Sequence, residues 1–558
     1  MSIIREGQRN RNLAILLKFM AVLVGMVVAY SVTFHWIMEW EGQHHSWVTG
    51  FYWTLVVMTT LGFGDITFQS DVGRLFSMLV LMSGVLFLLV LLPFTFIQFF
   101  YAPWMESQAQ ARAPRSLPMD THDHVVLTSY DPVCQSLIPR LRQYGIPYCV
   151  LVPDVAEALR LHDIGVRVMV GELDDPEVYR QARVDRAAMV ATTIASDPIN
   201  TNVVFTVREL SDKVPIVSTV RDPDAIDILH LAGSSYVLQL SEIMGRALAR
   251  SAFGGDSHAH VIGHFGELLV AEASTAETPL VGKTLREARL AETVGVNAVG
   301  LWERGRFESA GPETRIGEKS VLMLGGTRLQ LDHYNELFGG YHQVQGAVVI
   351  VGGGRVGRST GDALAGRGLD FTIVERDAGR VRPGARYVQG NAAEMAILEK
   401  AGIREAPAAI ITTHDDDVNI YLTIYLRRLR PDLQIIARCT RERNVATLHR
   451  AGADFVLSYA SMGANAVFNL LRRGSVLMVA EGLYVFRAAV PGGLVGRSLI
   501  ESRFRQLSGC SVIAIQHEDR MEVNPDPHQP LGDSMQLVLI GTAEAEERYL
   551  KAFERNGR

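Results

Sequence analysis

Apolar residues are concentrated in the first hundred positions of the 558-residue chain. One apolar run covers 13–34 and is interrupted by Lys18, and a second covers 72–100. Each is long enough to cross a hydrocarbon core of about 30 Å as a helix. The pattern predicts an α-helical membrane segment over 1–102, with an outer helix at about 13–35 and an inner helix over the second run.

A shorter apolar stretch at 47–59 lies between the two runs and is too short to cross a bilayer. The residues T-L-G-F-G-D follow it at 60–65. Irregular backbone occurs at membrane depth only where it is buried in protein or lines water. We therefore expect a pore helix at 47–59, followed by an extended segment that lines an aqueous pore.

This T-L-G-F-G-D segment resembles the K⁺ channel signature T-V-G-Y-G, whose carbonyl oxygens replace the hydration shell of the ion. Glycine permits backbone angles that other residues resist, and so allows successive carbonyls to face one axis. Leucine and phenylalanine stand where valine and tyrosine are usual. The resemblance implies a selectivity filter formed by Thr60, Leu61, Gly62, Phe63, Gly64 and Asp65, with K⁺ held by oxygens of the first four.

Charged residues flank the two spans asymmetrically. Arg5, Arg9 and Arg11 precede the first span, and Arg112 and Arg115 follow the second. The loop between the spans is acidic or neutral. Because positive charge favours the cytoplasmic side, we expect a multi-pass protein of the inner (plasma) membrane with both termini in the cytoplasm.

The second span contains two residues that are candidates for a gate, Gly84 and Pro93. Proline removes a backbone hydrogen bond and clashes with the preceding turn, so a kink or local break is expected at Pro93. The chain has no arginine-rich membrane helix, and we therefore expect opening to be driven by something other than voltage.

A polar linker is predicted at 103–120, and beyond it the chain repeats itself. L-H-L-A-G recurs as L-H-R-A-G, and P-L-V-G-K-T-L recurs as G-L-V-G-R-S-L, at a nearly constant offset. Strands alternate with helices in each copy, which is typical of a doubly wound parallel sheet. We expect two Rossmann-like α/β units, at 121–339 and 344–558, each closed by a small strand-rich lobe.

The second copy carries a nucleotide-binding motif. Its first predicted strand runs into Gly352-x-Gly354-x-x-Gly357, a helix follows, and the next strand ends at Glu375. Such glycines let a diphosphate approach the N-terminus of the helix, and the acid accepts hydrogen bonds from ribose hydroxyls. An acid there favours NAD or another adenine nucleotide over NADP. The first copy lacks these glycines and has Ser129 at the first of them, so nucleotide binding is expected in the second copy.

Charge, cysteine spacing and acidic runs bear on whether the chain has a nucleic-acid partner or a metal site. The net charge is −6, which does not favour a nucleic-acid partner, and the four cysteines form no C-x-x-C pair. Two acidic runs offer the oxygen ligands that Ca²⁺ prefers, although such runs also occur as solvated loops. These divalent-cation candidates are Glu172, Asp174, Asp175, Asp415, Asp416 and Asp417.

A two-span K⁺ pore joined to tandem Rossmann-like units resembles the RCK-gated K⁺ channels, in particular the dual-RCK, multi-ligand-gated bacterial channels and, in the repeat, the Slo channels. The resemblance implies a homotetramer in a lipid bilayer with a gating ring of eight units, regulated by small molecules such as NAD, ADP or Ca²⁺. Carried over to this chain, the implied nucleotide-binding residues are Gly352, Gly354, Arg355, Val356, Gly357, Glu375, Arg376, Asn391, Thr412 and Thr413.

Two other functions remain open at this point. A membrane-anchored NAD-dependent oxidoreductase would need a proton-transferring residue near the nicotinamide, and the histidines form no convergent set. A regulatory subunit of a K⁺ transporter is the second alternative. Such transporters repeat the pore motif, which occurs once here. We therefore expect a channel and not an enzyme.

Overall fold

The computed structural model describes residues 2–102, 105, 114–252, 257–303, 306–318, 320–340, 346–382, 386–472, 476–480, 483–518 and 520–554. Most of the predicted linker at 103–120 lies outside the described residues. The chain forms two compact units: residues 1–113 with 155–163, and residues 114–154 with 164–558.

The first unit contains the membrane helices. The outer helix α1 is longer than expected, and the pore helix α2 and inner helix α3 follow it: α1 Ser2–Trp40, α2 Trp47–Met58 and α3 Asp71–Gly84. Two helical stretches are long and apolar enough to cross a membrane: Leu17–Trp40 within α1, and Asp71–Phe96, which begins with α3 and continues beyond it. Phe34, Trp53 and Met58 belong to the buried core that joins them.

The inner helix does not break at Pro93, so of the kink or local break expected from the sequence the break is not formed. After α3 the backbone stays helical through Val85–Leu91, Leu92–Phe96 and Ile97–Tyr101. The first and last of these stretches have wider turns than an α-helix. In the first of them, the Leu92 N–H donates to Phe87 O. A wider turn changes the hydrogen-bond register just before the proline, and so accommodates its missing N–H without interrupting the helix.

The first copy of the repeat begins with a six-stranded parallel sheet of order β3-β2-β1-β4-β5-β6. Its strands are β1 Val125–Leu127, β2 Tyr148–Val152, β3 Val168–Val170, β4 Met189–Thr192, β5 Ile216–Thr219 and β6 Tyr236–Leu238. Its helices are α4 Pro132–Gln143, α5 Val155–Asp163, α6 Pro176–Gln181, α7 Asp197–Arg208, α8 Ile226–Leu231 and α9 Leu240–Ser251. The strands read as continuous apolar runs because helices cover both faces of such a sheet.

A lobe with an antiparallel sheet of order β10-β9-β11-β8-β7 completes the first copy. Its strands are β7 His260–Phe265, β8 Leu268–Ser274, β9 Asn297–Glu303, β10 Arg306–Ser309 and β11 Val321–Gly326. Its helices are α10 Leu285–Ala288, α11 Leu290–Thr293 and α12 Arg328–Phe338.

The second copy repeats the parallel sheet with the equivalent order β14-β13-β12-β15-β16-β17. Its strands are β12 Val348–Val351, β13 Phe371–Glu375, β14 Tyr387–Gln389, β15 Ala408–Ile411, β16 Gln434–Cys439 and β17 Phe455–Ser458. Its helices are α13 Arg355–Ala365, α14 Met395–Lys400, α15 Asp416–Leu429, α16 Val445–Ala451 and α17 Tyr459–Leu471. In both copies the strand order reverses between the first and fourth strands, which is where such folds bind ligands.

The second lobe has the sheet order β18-β19-β22-β20-β21. Its elements are β18 Val476–Ala480, β19 Leu483–Ala489, α18 Leu499–Ser502, α19 Phe504–Ser508, β20 Ser511–His517, β21 Arg520–Val523, β22 Met535–Thr542 and α20 Ala543–Tyr549. Residues of both lobes, among them Val270, Met323, Val485 and Ile513, belong to one buried cluster. The lobes therefore bury apolar surface against each other.

The two parallel-sheet units exchange helix contacts in a nearly symmetric way. Helix α9 of the first copy packs on α13 of the second, and α17 of the second packs on α4 of the first. The first pair approaches closely, since a Cβ at Gly245 would lie 2.5 Å from Ser359 Cβ. Polar contacts join the second pair, where Arg140 Nη2 donates to Ser461 Oγ at 2.8 Å. The helix that follows the sixth strand of each parallel sheet thus lies against the helix that follows the first strand of the other.

Candidate ion-conduction and nucleotide sites

The filter segment has an alternating backbone. Thr60, Gly62 and Gly64 have φ angles of +64°, +50° and +73°, whereas the intervening Leu61 and Phe63 do not have positive φ. A positive φ at every second residue allows successive carbonyls to turn toward the same side of the chain. A positive φ is strained for a β-branched residue such as Thr60, and such strain is typical of functional segments. These φ angles agree with the filter conformation predicted from the sequence, and ion coordination by these residues stays a prediction.

The pore helix holds both ends of this segment. The N–H groups of Leu61 and Gly62 donate to Val56 O at 3.0 and 3.3 Å, so the segment is attached to the last turn of α2. At its other end, Tyr52 OH donates to Asp65 Oδ2 at 3.0 Å. Phe63 has no hydroxyl for such a bond, and Tyr52 supplies one from the pore helix instead. The sequence reasoning missed Tyr52.

We expect Tyr52→Phe to shorten open bursts of the channel several-fold while K⁺-over-Na⁺ selectivity is retained. The substitution removes the hydrogen bond to Asp65, but the coordinating oxygens belong to the backbone. Single-channel recording measures both quantities. Tyr30→Phe is the matched control, since Tyr30 makes an edge contact with Phe76 in the same unit. Unchanged bursts in Tyr52→Phe, or equal shortening in the control, would contradict the role of this bond.

Gly84 lies against the end of the pore helix. A Cβ at this position would be 2.3 Å from Met58 O and 2.4 Å from Met58 Cα. Both are backbone atoms and cannot swing aside, so the absence of a side chain is a packing requirement. The missing side chain at Gly84 therefore lets the inner helix approach the end of the pore helix, while the part of Gly84 in a gate stays a prediction.

Each glycine in the loop of the second copy is accommodated for a different structural reason. Gly352 has φ +107°, which favours glycine, and a Cβ at Gly357 would lie 1.9 Å from Gly352 O. Gly354 is the N-cap of α13, no side chain caps that helix, and its Cβ position has open space around it. The loop is tightly packed on the protein side and open at the N-terminus of the helix, where a phosphate binds in such folds.

Glu375 is held in place at the end of β13. Its carboxylate accepts from Gly353 N–H at 2.7 Å and from Asp377 N–H at 2.8 Å, and the residue is 7% exposed. These two backbone donors orient the carboxylate beside the glycine loop. Gly353, which the sequence reasoning did not select, thereby connects the loop to the acid.

The other predicted residues divide into supporting and exposed positions. Thr412 Oγ1 donates to Val351 O at 3.0 Å and to Gly352 O at 2.9 Å, so it stabilises the loop from beneath. Thr413 Oγ1 donates to Asn419 Oδ1 at 2.5 Å, and Val356 is buried in the core. The exposed positions around the loop are Arg355, Arg376 and Asn391.

The first copy fills the equivalent site with its own side chains. Asp131, the N-cap of α4, stands where Gly354 stands in the second copy, and its carboxylate accepts from Cys134 N–H at 2.8 Å. Burial raises the pKa of the Asp131 carboxyl above its ordinary value. The strand position of Glu375 is taken by Val152. The N-terminus of α4 is thus capped by a side chain of its own copy, and β2 ends in a valine where β13 ends in Glu375, although Asp154 follows two residues later.

The acidic runs serve local structure. Asp416 accepts from Thr440 N–H at 2.7 Å and from Asn444 Nδ2 at 2.8 Å. Asp415 caps α15, and Asp175 caps α6. In the part of the chain that the structure describes, no three His, Cys, Asp or Glu side chains converge as a metal site.

Family models match most of this architecture. The ion channel model matches residues 21–101. The TrkA-N domain model matches residues 125–240 and 348–459, and the TrkA-C domain model matches residues 483–554. The matched regions include the filter and both parallel sheets.

Individual proteins give the same result. A solved structure of the GsuK channel bound to NAD is 38% identical to this chain, covers 98% of it and 99% of that chain, and has a TM-score of 0.60. Potassium channel protein 1 of Methanocaldococcus jannaschii is 21% identical over 56% of this chain and 93% of its own length. A TrkA homologue of the Trk potassium uptake system in Pyrococcus abyssi is 32% identical over 37% of this chain and 97% of its own length. The chain therefore belongs to the family of potassium channels that are regulated by TrkA-type RCK domains.

Proposed function

We propose that this channel is opened or closed by an adenine dinucleotide or diphosphate, NAD or ADP, that binds to the second copy. Membership of the channel family separates it from the oxidoreductase considered above. The observation that carries the proposal is the contrast between the copies: the helix end at Gly354 is open, and the equivalent end in the first copy is occupied by Asp131.

In the proposed complex the diphosphate lies at the N-terminus of α13, where backbone N–H groups and the helix dipole favour anions. Glu375 accepts hydrogen bonds from the ribose hydroxyls. A 2′-phosphate would meet this carboxylate as a like charge, which disfavours NADP. The NAD bound by GsuK supports this assignment of ligand class.

Four chains would form the pore. A single chain supplies one strand of filter backbone, and a ring of oxygens from Thr60, Leu61, Gly62 and Phe63 requires symmetric copies. Tandem units in four chains then make a ring of eight on the cytoplasmic side of the inner membrane, with both termini there. A nucleotide shifts the gate to the extent that it prefers one state of this ring.

Ca²⁺ is the second ligand class within this proposal. Hard oxygen donors are present at Glu172, Asp174 and Asp417, although they are not gathered into one cluster within the described part of a single chain.

Recording from the full-length channel in planar bilayers tests the proposal. NAD, ADP or Ca²⁺ is added to the cytoplasmic side, and open probability and K⁺ selectivity are measured. We expect K⁺ currents whose open probability changes with NAD or ADP. Open probability that is indifferent to all three ligands would overturn the ligand-gating proposal.

Glu375→Gln is expected to weaken the apparent affinity for NAD by roughly ten- to hundredfold. The glutamine side chain has an NH₂ group in place of one carboxylate oxygen of Glu375. This group cannot accept from a backbone N–H, and the loss of charge weakens the hydrogen bonds with ribose. The preference for NAD over NADP should fall as well, because the repelling charge is gone. Open probability measured against the concentration of each nucleotide gives both quantities.

Glu394→Gln is the control for this variant, because Glu394 is an exposed acid in the same copy. It should leave both nucleotide responses unchanged. If Glu375→Gln keeps the wild-type affinity and the wild-type preference, the acid does not contact the ribose.

A further inference from the structure

The two copies meet through the packing of α9 on α13, where Met244 and Leu248 share one buried cluster with Val356. The loop that follows β5 in the first copy lies near the start of α13, since the charges of Arg221 and Asp197 both act on Arg355 there. The reciprocal contact is seen on the other side of the interface, where Ser136 Oγ of α4 donates to Glu442 Oε2 at 2.8 Å. Glu442 follows β16, the strand equivalent to β5. The loop after the fifth strand of each copy therefore reaches the first helix of the other.

Arg221 is the basic residue of this loop in the first copy, and its position is well defined. Its backbone N–H donates to Asp197 Oδ1 at 2.8 Å, and Asp222 N–H donates to Asp197 Oδ2 at 2.9 Å. Its Nη1 donates to Ala195 O at 2.6 Å. A guanidinium has several further N–H donors, and the residue is exposed. The loop is thus fixed while most of the guanidinium is available to a ligand.

Positive charge accumulates where this loop meets α13. Partial burial lowers the pKa of Arg355, the first residue of α13, and the positive charge of Arg221 is the second cause of this decrease. Tyr459 and Asp197 raise the pKa of Arg355, whereas the charge of Arg358 lowers it, as that of Arg221 does. Arg438 lies over the Tyr459 ring at 5.0 Å from its centre. Like charges from both copies thus lie close together at the start of α13, only partly balanced by Asp197, and an anion between them would relieve their repulsion.

We propose that the nucleotide site of the second copy is completed by the first copy, which supplies Arg221 as a ligand of the diphosphate. Arg355 and the N-terminus of α13 bind the same group from the other side. The nucleotide then bridges the two copies within one chain, so its binding energy acts directly on the interface that has to move. This inference rests on the proposed nucleotide function and adds the residue that couples it to the ring.

The test measures binding of NAD and ADP to the purified full-length channel in detergent by isothermal titration calorimetry. We expect Arg221→Ala to weaken both affinities by about tenfold or more, since charge-assisted bonds to phosphate are among the stronger hydrogen bonds. Arg221→Gln keeps a donor for Ala195 O but removes the charge, and it should weaken both affinities similarly. Arg441→Ala is the control, because Arg441 is in the equivalent loop of the second copy, near α4, and should leave affinity unchanged.

Each outcome is informative. Wild-type affinity in Arg221→Ala would overturn the inference, and so would full recovery in Arg221→Gln, which would restrict Arg221 to anchoring its loop. Equal loss in Arg441→Ala would also overturn it, because the effect would then be a general one of charge. If the wild type binds neither nucleotide, the proposed function itself fails, and this result is distinct from a wild type that binds and a variant that binds equally well.

Discussion

The Gly354→Asp variant is expected to lose nucleotide regulation while still conducting K⁺. It transfers to the second copy the self-capping arrangement of the first, where Asp131 accepts from Cys134 N–H at the same helix position. A carboxylate at the N-terminus of α13 would take the hydrogen bonds intended for the diphosphate and repel it. We expect apparent affinity for NAD and ADP to fall by more than about a hundredfold, by the sum of these two effects.

Folding should not be affected, because Gly354 has an ordinary φ of −67° and open space where a Cβ would be. Aspartate is a favoured N-cap residue, so the thermal midpoint should be unchanged or slightly higher. Gly354→Ala is the matched comparison: its uncharged Cβ hinders the close approach of the diphosphate, so affinity should fall, but less than in Gly354→Asp, which also adds a charge and a cap. Bilayer recording with increasing NAD measures the effect. A Gly354→Asp channel that responds like the wild type would show that the ligand does not lie at this helix end.

The Gly84→Ala variant is expected to reduce K⁺ current by at least tenfold, which is the second large effect. The added methyl group would lie 2.3 Å from Met58 O and 2.4 Å from Met58 Cα, and so the inner helix and the end of the pore helix must separate. Overpacking of this kind typically costs about 1–3 kcal/mol. The displaced backbone at Met58 leads directly into the filter, so the strain reaches the conducting segment.

Gly25→Ala provides the comparison, since a Cβ at Gly25 in the outer helix has no neighbour within 4 Å. Alanine also favours a helix more than glycine does, and we expect wild-type current from it. K⁺ flux into liposomes that contain equal amounts of each variant measures the difference. Wild-type flux through Gly84→Ala would mean that the close approach is not needed for conduction, and Gly84 would then remain a gate candidate alone.

Features that depend on short stretches of chain were predictable from the sequence. The two spans, the T-L-G-F-G-D filter, the repeat and the glycine loop all follow from local patterns of hydrophobicity, glycine placement and spacing. Glu375 was predictable as well, because the end of the second strand always lies beside the loop that follows the first. Pro93 shows the limit of this reasoning. The local break considered for this proline is not formed, because the turn before it is wider and the helix continues through it.

The periodicity and order of elements along the chain were enough to predict the class of the protein and the segments that carry each candidate site. Packing then fixed which side chains meet at those segments. It brought Tyr52 to Asp65, Gly84 to Met58 and the loop of Arg221 to α13. It also made Asp131 the group that closes the first site. These contacts join residues that no local pattern relates, and they depend on which helices pack against each other once the two copies have folded together.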